Sequence, residues 1–143
     1  MHKTPDVKFD LYGIDKVQPI WADHYFKTIS NAKMGLNLSR GEAIKYYSSD
    51  RITQIVGNGL VCLIDEKTKY RNFFNENEMV FYKNTNDLSE KILKISSDDK
   101  LRKKIAKRGK LKYMKYFNSD LVSEYIIDRI LNIKSNKRYL WEK

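Results

Sequence analysis

Residues 34–65, MGLNLSRGEAIKYYSSDRITQIVGNGLVCLID, decide the fold. The run Leu60–Ile64 is apolar at every position, and a strand of that kind cannot turn either face to water. It should therefore lie inside a parallel sheet that helices cover on both sides. Every second residue of 34–38 is apolar, which predicts a shorter strand. The stretch is thus expected to form a strand, a polar loop, a helix and a buried strand.

The helix between these strands has clear start and stop signals. Asp50 is a good N-cap, because its carboxylate can accept the free N–H groups of a first turn beginning at Arg51. Gly57 and Gly59 supply the permissive backbone that ends the helix. The predicted buried face consists of Ile52, Ile55 and Val56. Since ligands of open α/β sheets bind at the carboxyl ends of strands, the loop Ser39–Asp50 is the expected functional segment.

The segments on either side complete the predicted sheet. Alternation of apolar residues at Val7, Phe9 and Leu11 predicts a first strand that ends in a turn at Tyr12–Gly13. A helix is expected from about Trp21, with Trp21, Tyr25, Ile29 and Ala32 on one face. A short helix is expected near residues 69–74, followed by a last strand at 79–82. The sheet core therefore spans about residues 7–83 of a single domain.

Three helices are predicted to follow, over about residues 85–134. The first has its cap among residues 85–87, the second spans about 100–117 and the third starts after Asn118 or Ser119. Gly109 argues against one straight second helix. Residues 135–143 are expected to be loosely attached, although Tyr139, Leu140 and Trp141 could pack. The residues expected to face inward are Leu88, Ile92, Leu93, Ile95, Leu101, Ile105, Met114, Leu121, Tyr125, Ile126, Ile130 and Ile133. The fold class is therefore α/β, an open parallel sheet flanked by helices with a helical C-terminal segment.

Composition limits the functional classes. The 143 residues suit one domain, and no apolar run approaches the length of a membrane-spanning helix. The single Cys62 lies in the buried run, so we expect an inert thiol, no disulfide within the chain and a reducing cytoplasmic setting. His24 and His2 make no metal-binding pattern, and no metal site is predicted.

The basic charge is concentrated in the C-terminal helices. The chain has a formal net charge of +10, and residues 84–143 contribute 16 Lys or Arg against 8 Asp or Glu. A basic surface attracts phosphate-bearing partners, either nucleic acid or an anionic membrane surface. A lysine face neutralised only by counterions explains the same composition. The sequence leaves these interpretations open.

The start of the central helix is the most promising chemical site. The sequence has no glycine-rich nucleotide motif and no paired Cys or His ligands. The amide groups and positive end of a helix starting at Asp50 suit a phosphate, and the guanidinium of Arg51 adds a forked donor. Gln54, one turn later, can hydrogen-bond a sugar hydroxyl. Spacing alone equally allows Asp50 to be a simple cap, Arg51 to form an ion pair and Gln54 to be solvated.

Three runs carry a family resemblance: residues 31–40 (NAKMGLNLSR), 46–66 (YYSSDRITQIVGNGLVCLIDE) and 73–117 (FFNENEMVFYKNTNDLSEKILKISSDDKLRKKIAKRGKLKYMKYF). In order and spacing they resemble the C-terminal domain of group 1 glycosyltransferases, especially the CgeB-like set. The resemblance implies a Rossmann-like domain that forms one half of a GT-B enzyme and binds a nucleotide diphosphate sugar. Such enzymes mostly need no metal or other cofactor.

The resemblance also implies a set of donor-binding residues and partners. Ser39 and Arg40 would line the floor of the pocket, Asp50 and Arg51 would sit at the diphosphate, and Gln54 would replace a ribose-binding glutamate. Tyr47 and Ser49 complete the set, and no catalytic residue is assigned. The acceptor domain is expected on another polypeptide segment, so the chain alone should bind donor weakly and transfer nothing. We expect a cytoplasmic protein, and peripheral attachment to the inner face of the membrane is an alternative location.

Two departures from the family pattern affect the expected site. A glutamine offers one acceptor and one donor group where the family glutamate accepts from both ribose hydroxyls. The paired glutamates of related glycosyltransferases are also missing, because Tyr46 stands eight residues before Gln54. The alternative function is a non-catalytic module whose basic helix Lys100–Lys115 docks on nucleic acid or an anionic membrane. Nucleic acid is the less expected partner, because only Tyr113 and Tyr116 offer aromatic rings among the lysines.

Overall fold

The buried strand lies at the centre of a three-stranded parallel sheet. The computed structural model describes residues 7–38, 41–47, 49–134, 136–137 and 139–142. The strands are β1 (Met34–Asn37), β2 (Val61–Asp65) and β3 (Val80–Tyr82), in the spatial order β1-β2-β3. Gly35 of β1 lies opposite Cys62, and Leu63 lies opposite Val80 of β3.

Alternate residues of β2 enter two separate hydrophobic clusters. Cys62 and Ile64 point to one face, where they join Phe81 of β3 and a group of aromatic side chains. Val61 and Leu63 point to the other face, where they join Val80. Both faces of the strand are thus covered, as its all-apolar sequence predicts. The expected α/β architecture, a Rossmann-like open parallel sheet flanked by helices, is confirmed.

Five α-helices surround the sheet in the described part of the chain. They are α1 (Ala22–Asn31), α2 (Asp50–Gly57), α3 (Thr85–Ser97), α4 (Asp99–Tyr116) and α5 (Ser119–Ile130), and two 3₁₀ turns cover Glu66–Thr68 and Tyr70–Asn72. The apolar residues of α2 pack on the Cys62 face, whereas α3 and the first half of α4 pack on the Val61 face. The second half of α4 reaches the Cys62 face, because Tyr113 joins that cluster and its hydroxyl lies 2.7 Å from Thr53 Oγ1.

The helix starts of the C-terminal segment follow the capping signals. The side chains of Asn84, Asp98 and Asn118 accept hydrogen bonds from backbone amides in the first turns of α3, α4 and α5. Each of these residues satisfies donors that a helix start would otherwise leave unpaired. The helix starts predicted at 100 and after Asn118 are confirmed to within one residue, whereas the cap predicted at residues 85–87 is wrong, because Asn84 is the N-cap of α3.

The predicted first strand does not form. Residues 7–12 pair with neither edge of the sheet, and Phe9 and Tyr12 are about 40% exposed (42% and 41%). Alternation leads to a strand only where a neighbouring strand supplies hydrogen bonds, and this segment pairs with no strand of the described residues. The turn at Gly13 does form, with Gly13 N–H donating to the carbonyl oxygen of Val17 at 3.1 Å.

The inward face predicted for the last helix is also wrong. No residue of α5 is buried, and its isoleucines at 126 and 130 are exposed, as is Ile133 beyond it. An apolar stripe is buried only where another element packs on it, and no described element covers these isoleucines. Leu93 and Met114, also predicted to face inward, are exposed, and so are Trp21 and Ala32 of the stripe predicted for the first helix.

The C-terminal residues that could pack do so. Tyr139 is buried, and its ring contacts Tyr125 of α5 at a centroid distance of 4.9 Å. Trp141 packs against Phe117, at the end of α4, with ring centroids 5.7 Å apart. The chain end thereby extends the aromatic part of the Cys62-face cluster. Among the described residues, no helix has the length and apolar content needed to cross a membrane.

Gly109 allows α4 to pass close to the segment before β3. The helix is continuous through this residue, contrary to the expectation of an interruption. A Cβ atom at position 109 would lie 2.3 Å from the carbonyl oxygen of Glu78. The glycine is therefore required by the close approach of two backbones.

Replacement of Gly109 by alanine should destabilise the protein. Alanine normally favours a helix over glycine by about 0.5–1 kcal/mol, but here the clash with Glu78 should outweigh that gain and cost about 1–3 kcal/mol. Gly57→Ala is the matched control, because a Cβ there would meet only Met114 Cε at 3.6 Å. Urea unfolding should show a lower free energy of unfolding for G109A and an unchanged one for G57A. Equal stability of both variants would contradict the close approach.

Candidate functional site

The N-terminus of α2 lies at the carboxyl edge of the sheet. Arg51, in the first turn of α2, donates from Nη1 to the carbonyl oxygen of Leu38 at 2.6 Å, and Leu38 directly follows β1. The positive end of the helix is therefore next to the end of a parallel strand. That is the position at which ligands bind in open α/β sheets.

The helix begins one residue earlier than predicted. Ser49 is the N-cap, with an extended backbone at φ −119° and ψ 166°, and Asp50 is already helical. Asp50 as the N-cap is therefore wrong. Serine and aspartate cap equally well, so two such residues in sequence cannot show which one leaves the helix. Asp50 still interacts favourably with the helix dipole from the first turn.

The N-cap residue leaves its own hydrogen-bonding capacity unused. The Ser49 side chain makes no capping bond, and its Oγ is buried without a partner among the described residues. The equivalent side chains at the starts of α3, α4 and α5 all bind backbone amides. Among the described residues no side chain binds this hydroxyl, and the Ser49 side chain does not cap the first-turn amides of α2.

Arg51 is exposed and carries an uncompensated charge. Within the described ranges no carboxylate lies within 4 Å of its guanidinium. The bond to Leu38 uses one donor of five, and it holds the side chain against the end of β1. The remaining donors suit the oxygens of a phosphate or carboxylate.

Gln54 belongs to a short chain of hydrogen bonds. Its Oε1 accepts from the hydroxyl of Tyr25 in α1, and its Nε2 donates to Asp50 Oδ2 at 3.3 Å. Partial burial and the Asp50 carboxylate raise the pKa of Tyr25, while Arg51 opposes this shift. Tyr25 therefore stays protonated and orients the amide, which in turn holds Asp50. Helical spacing predicts only that Tyr25 shares a face with Ile29, and it gives no sign of this hydrogen bond.

Asn37 is the second residue that sequence analysis missed. It ends β1 and is 2% exposed, and neither its Oδ1 nor its Nδ2 has a partner among the described residues. A buried amide left in this state costs about 1–3 kcal/mol of stability. The available signal was a polar residue at the carboxyl end of an otherwise apolar strand.

The geometry of β1 and α2 places Asn37 near the helix start. Gly35 faces α2, because a Cβ there would lie 2.5 Å from Ile55 Cγ1, and Asn37 faces the same way two residues later. Two residues along a strand advance about 6.6 Å, which equals about four residues of helix. Counting four residues back from Ile55 reaches Arg51. The orphaned amide thus lies at the level of the first turn.

In the described part of the loop between β1 and α2, Tyr46 contacts the segment that follows β2. The Tyr46 N–H donates to the carbonyl oxygen of Thr68 at 2.8 Å, and its ring packs on Phe73 at 4.9 Å. Tyr47 is exposed beside it, and no hydrogen bond or ring contact joins it to α2 within the described residues. The predicted site residues Ser39 and Arg40 lie outside the described residues. The structure therefore brings together Ser49, Asp50, Arg51 and Gln54 of the predicted set.

Other reactive groups lie apart from the corner formed by the end of β1 and the start of α2. Burial raises the pKa of the Cys62 thiol to about 12, so the group is neutral near pH 7, as expected for an inert core cysteine. In the described part of the chain no three His, Cys, Asp or Glu side chains come together in a cluster that could hold a metal ion.

Comparison with known proteins gives one result at the level of a family. No curated protein and no solved structure matches the chain. Residues 1–128 match the sequence model of a family described as glycosyl transferase-like. The matched segment includes the whole sheet, α2 and every residue of the corner between β1 and α2. The chain therefore belongs to the glycosyl transferase-like family.

Proposed function

We propose that the chain is the donor-binding half of a GT-B glycosyltransferase and binds a nucleotide diphosphate sugar where β1 ends and α2 begins. The observation that carries this proposal is that the Asn37 amide and the buried Ser49 hydroxyl have no hydrogen-bond partner among the described residues, beside a helix start that the Ser49 side chain does not cap. Proteins rarely retain such groups without a use, because each one lowers stability. A polar ligand would satisfy both.

Family membership supports the glycosyl-transfer chemistry, and the finer assignment rests on the corner itself. The resemblance to the C-terminal domain of the group 1, CgeB-like enzymes agrees with a Rossmann-like sheet whose helix start faces the carboxyl edge. In that type of enzyme the leaving group is a nucleoside diphosphate. The site must therefore stabilise the negative charge that develops on it.

Arg51 and the first turn of α2 are the groups that would bind the diphosphate. The helix contributes amide donors and a positive dipole end, and the guanidinium contributes a full charge with free donors. Both already point to the edge of the sheet before a ligand arrives. Charge that develops on the leaving diphosphate would then meet donors that need no rearrangement.

Asp50 would bind hydroxyl groups of the donor rather than its phosphates. Its carboxylate repels an anion at close range but accepts well from a hydroxyl of the transferred sugar. Gln54 and Tyr25 hold this carboxylate in place through the hydrogen-bond chain. Gln54 also keeps spare donor and acceptor capacity for the same hydroxyls, because neither end of the amide is saturated.

Asn37 would supply one donor and one acceptor below the helix start. Both of its polar atoms are buried, so a ligand reaches them only after a neighbouring segment moves. The described residues form one wall of an open site, so we expect donor binding without transfer until an acceptor domain supplies the second wall.

Replacement of Arg51 by alanine should weaken binding of UDP or GDP, whichever the protein prefers, by about tenfold to a hundredfold. Hydrogen bonds to charged groups contribute about 1.5–3 kcal/mol, which corresponds to that range. Isothermal titration calorimetry provides the measurement. Arg108→Ala removes the same charge from an exposed position on α4 and should leave the affinity unchanged. An unchanged affinity for R51A would remove Arg51 from the site.

Replacement of Asp50 by asparagine should strengthen the binding of a free nucleotide, in contrast to the loss expected for R51A. Loss of the exposed carboxylate removes repulsion of the diphosphate, so the affinity for UDP or GDP should rise about two- to fivefold. The gain should be smaller for the matching nucleotide sugar, because the variant also loses an acceptor for its hydroxyls. Calorimetry with both ligands separates the two effects. A weaker affinity for the free nucleotide would show that Asp50 does not face the phosphates.

Asn37→Leu should increase stability and reduce donor binding together. The leucine has the same number and branching of side-chain heavy atoms and removes an unsatisfied buried amide, so the free energy of unfolding should rise by about 1–2 kcal/mol. The same variant should bind nucleotide more weakly, because the ligand loses two partners. Urea unfolding and calorimetry on one preparation test both. A destabilised variant with normal binding would assign Asn37 a structural role.

A further inference from the structure

The outward side of α4 carries a continuous band of lysines. Lys100, Lys104 and Lys107 follow one another at helical spacings, and Lys103 and Lys110 flank them. All five side chains are exposed and together form the lysine face. The buried residues of α4 occupy the opposite side: Ile105, Ala106, Gly109 and Tyr113. The face runs along a helix of 18 residues, about 27 Å long.

This charge is hardly compensated. Asp99 is the single acidic residue of α4, and it lies 3.9 Å from Lys103 while also pairing with Arg102 and Lys33. No carboxylate of the described residues lies within 4 Å of the other four lysines of the face. Five neighbouring ammonium groups therefore produce a positive potential above one side of the molecule.

Two large apolar side chains lie within the same face. Leu111 continues the line of Lys100, Lys104 and Lys107 by one more turn, and it is 61% exposed. Met114 lies beside it and is 45% exposed. A surface that only carries solvated charge gains nothing from these residues. Lysines around exposed aliphatic groups are the composition of a helix that lies in a membrane interface.

We infer that the lysine face docks the chain on the surface of an anionic phospholipid bilayer. The ammonium groups bind lipid phosphates at the headgroup level, and the aliphatic end of Leu111 enters the boundary with the acyl chains. The helix axis then lies parallel to the membrane. This contact is separate from the corner at α2 and does not depend on the donor-binding proposal.

The details of α4 favour a membrane over a nucleic acid. Arg102, one of its two arginines, is held by Asp99 with its side chain only 13% exposed. Tyr113 is buried and Tyr116 is half-buried, so the face offers no exposed ring on which a base could stack. Leu111 at the centre of the outward side would gain little against a phosphate backbone.

Flotation of the full chain with vesicles tests this docking. We expect binding to vesicles of phosphatidylglycerol and phosphatidylcholine, none to phosphatidylcholine alone, and a strong decrease between 50 mM and 500 mM salt, because screening weakens the lysine contacts. Equal binding to both vesicle types would overturn the proposal. A single-stranded RNA, tested by fluorescence anisotropy in the same buffers, provides the competing partner.

Two variants locate the contact on α4. The triple change Lys100→Gln, Lys104→Gln, Lys107→Gln should reduce vesicle affinity about tenfold to a hundredfold. The control Lys27→Gln, Lys67→Gln, Lys83→Gln removes the same net charge from exposed lysines elsewhere and should cost far less. Leu111→Ser should reduce vesicle binding without changing the salt dependence. All these positions are exposed, and thermal melting verifies that the variants fold.

Each outcome decides between the partners. Equal losses in the two triple variants would show that net charge alone attracts the vesicles, and docking through α4 would be wrong. Tighter binding to RNA than to anionic vesicles, with no effect of Leu111→Ser on either, would identify a nucleic-acid surface instead. Loss of vesicle binding in the α4 triple variant and in Leu111→Ser, with the control intact, supports the membrane.

Discussion

Burial of β2 on both faces is the constraint on which the rest of the structure depends. Val61 and Ile64 have no exposed surface although they point in opposite directions, so helices must cover the sheet from two sides. Covering helices require parallel crossovers, and parallel strands end at one edge. The start of α2 reaches that edge for the same reason. The location of the candidate site is thus a consequence of how one strand is kept from water.

The corner between β1 and α2 keeps polar groups that lower the stability of the fold. The Asn37 amide and the Ser49 hydroxyl are buried without partners among the described residues, whereas the N-cap side chains of α3, α4 and α5 all bind backbone amides. Gln54 fits the same balance, because its neutral amide can donate to Asp50 where a glutamate would place a second carboxylate at about the same distance. The departure from the family residue therefore leaves one negative charge at the helix start instead of two.

Strong local patterns predicted much of the fold, and contacts between distant segments explain the remainder. The run Leu60–Ile64 and the capping residues of the C-terminal helices are local signals, and their elements form as expected. Residues 7–12 and α5 have equally good periodicity, but their burial depends on partners that no periodicity reveals. At the candidate site, the position of Arg51 in the first turn of α2 was predictable from the start signals of the helix. Tyr25 did not, because only the tertiary fold brings α1 against α2.

The order of the strands in space has a consequence for how the chain folds. Each strand pairs with the strand next to it in sequence, so only the connections 38–60 and 66–79 must close before the sheet exists. Short closures have a small entropic cost, and low contact order is associated with fast folding. The sheet can therefore assemble in the direction of synthesis, with β1, α2 and β2 associating before the C-terminal helices leave the ribosome.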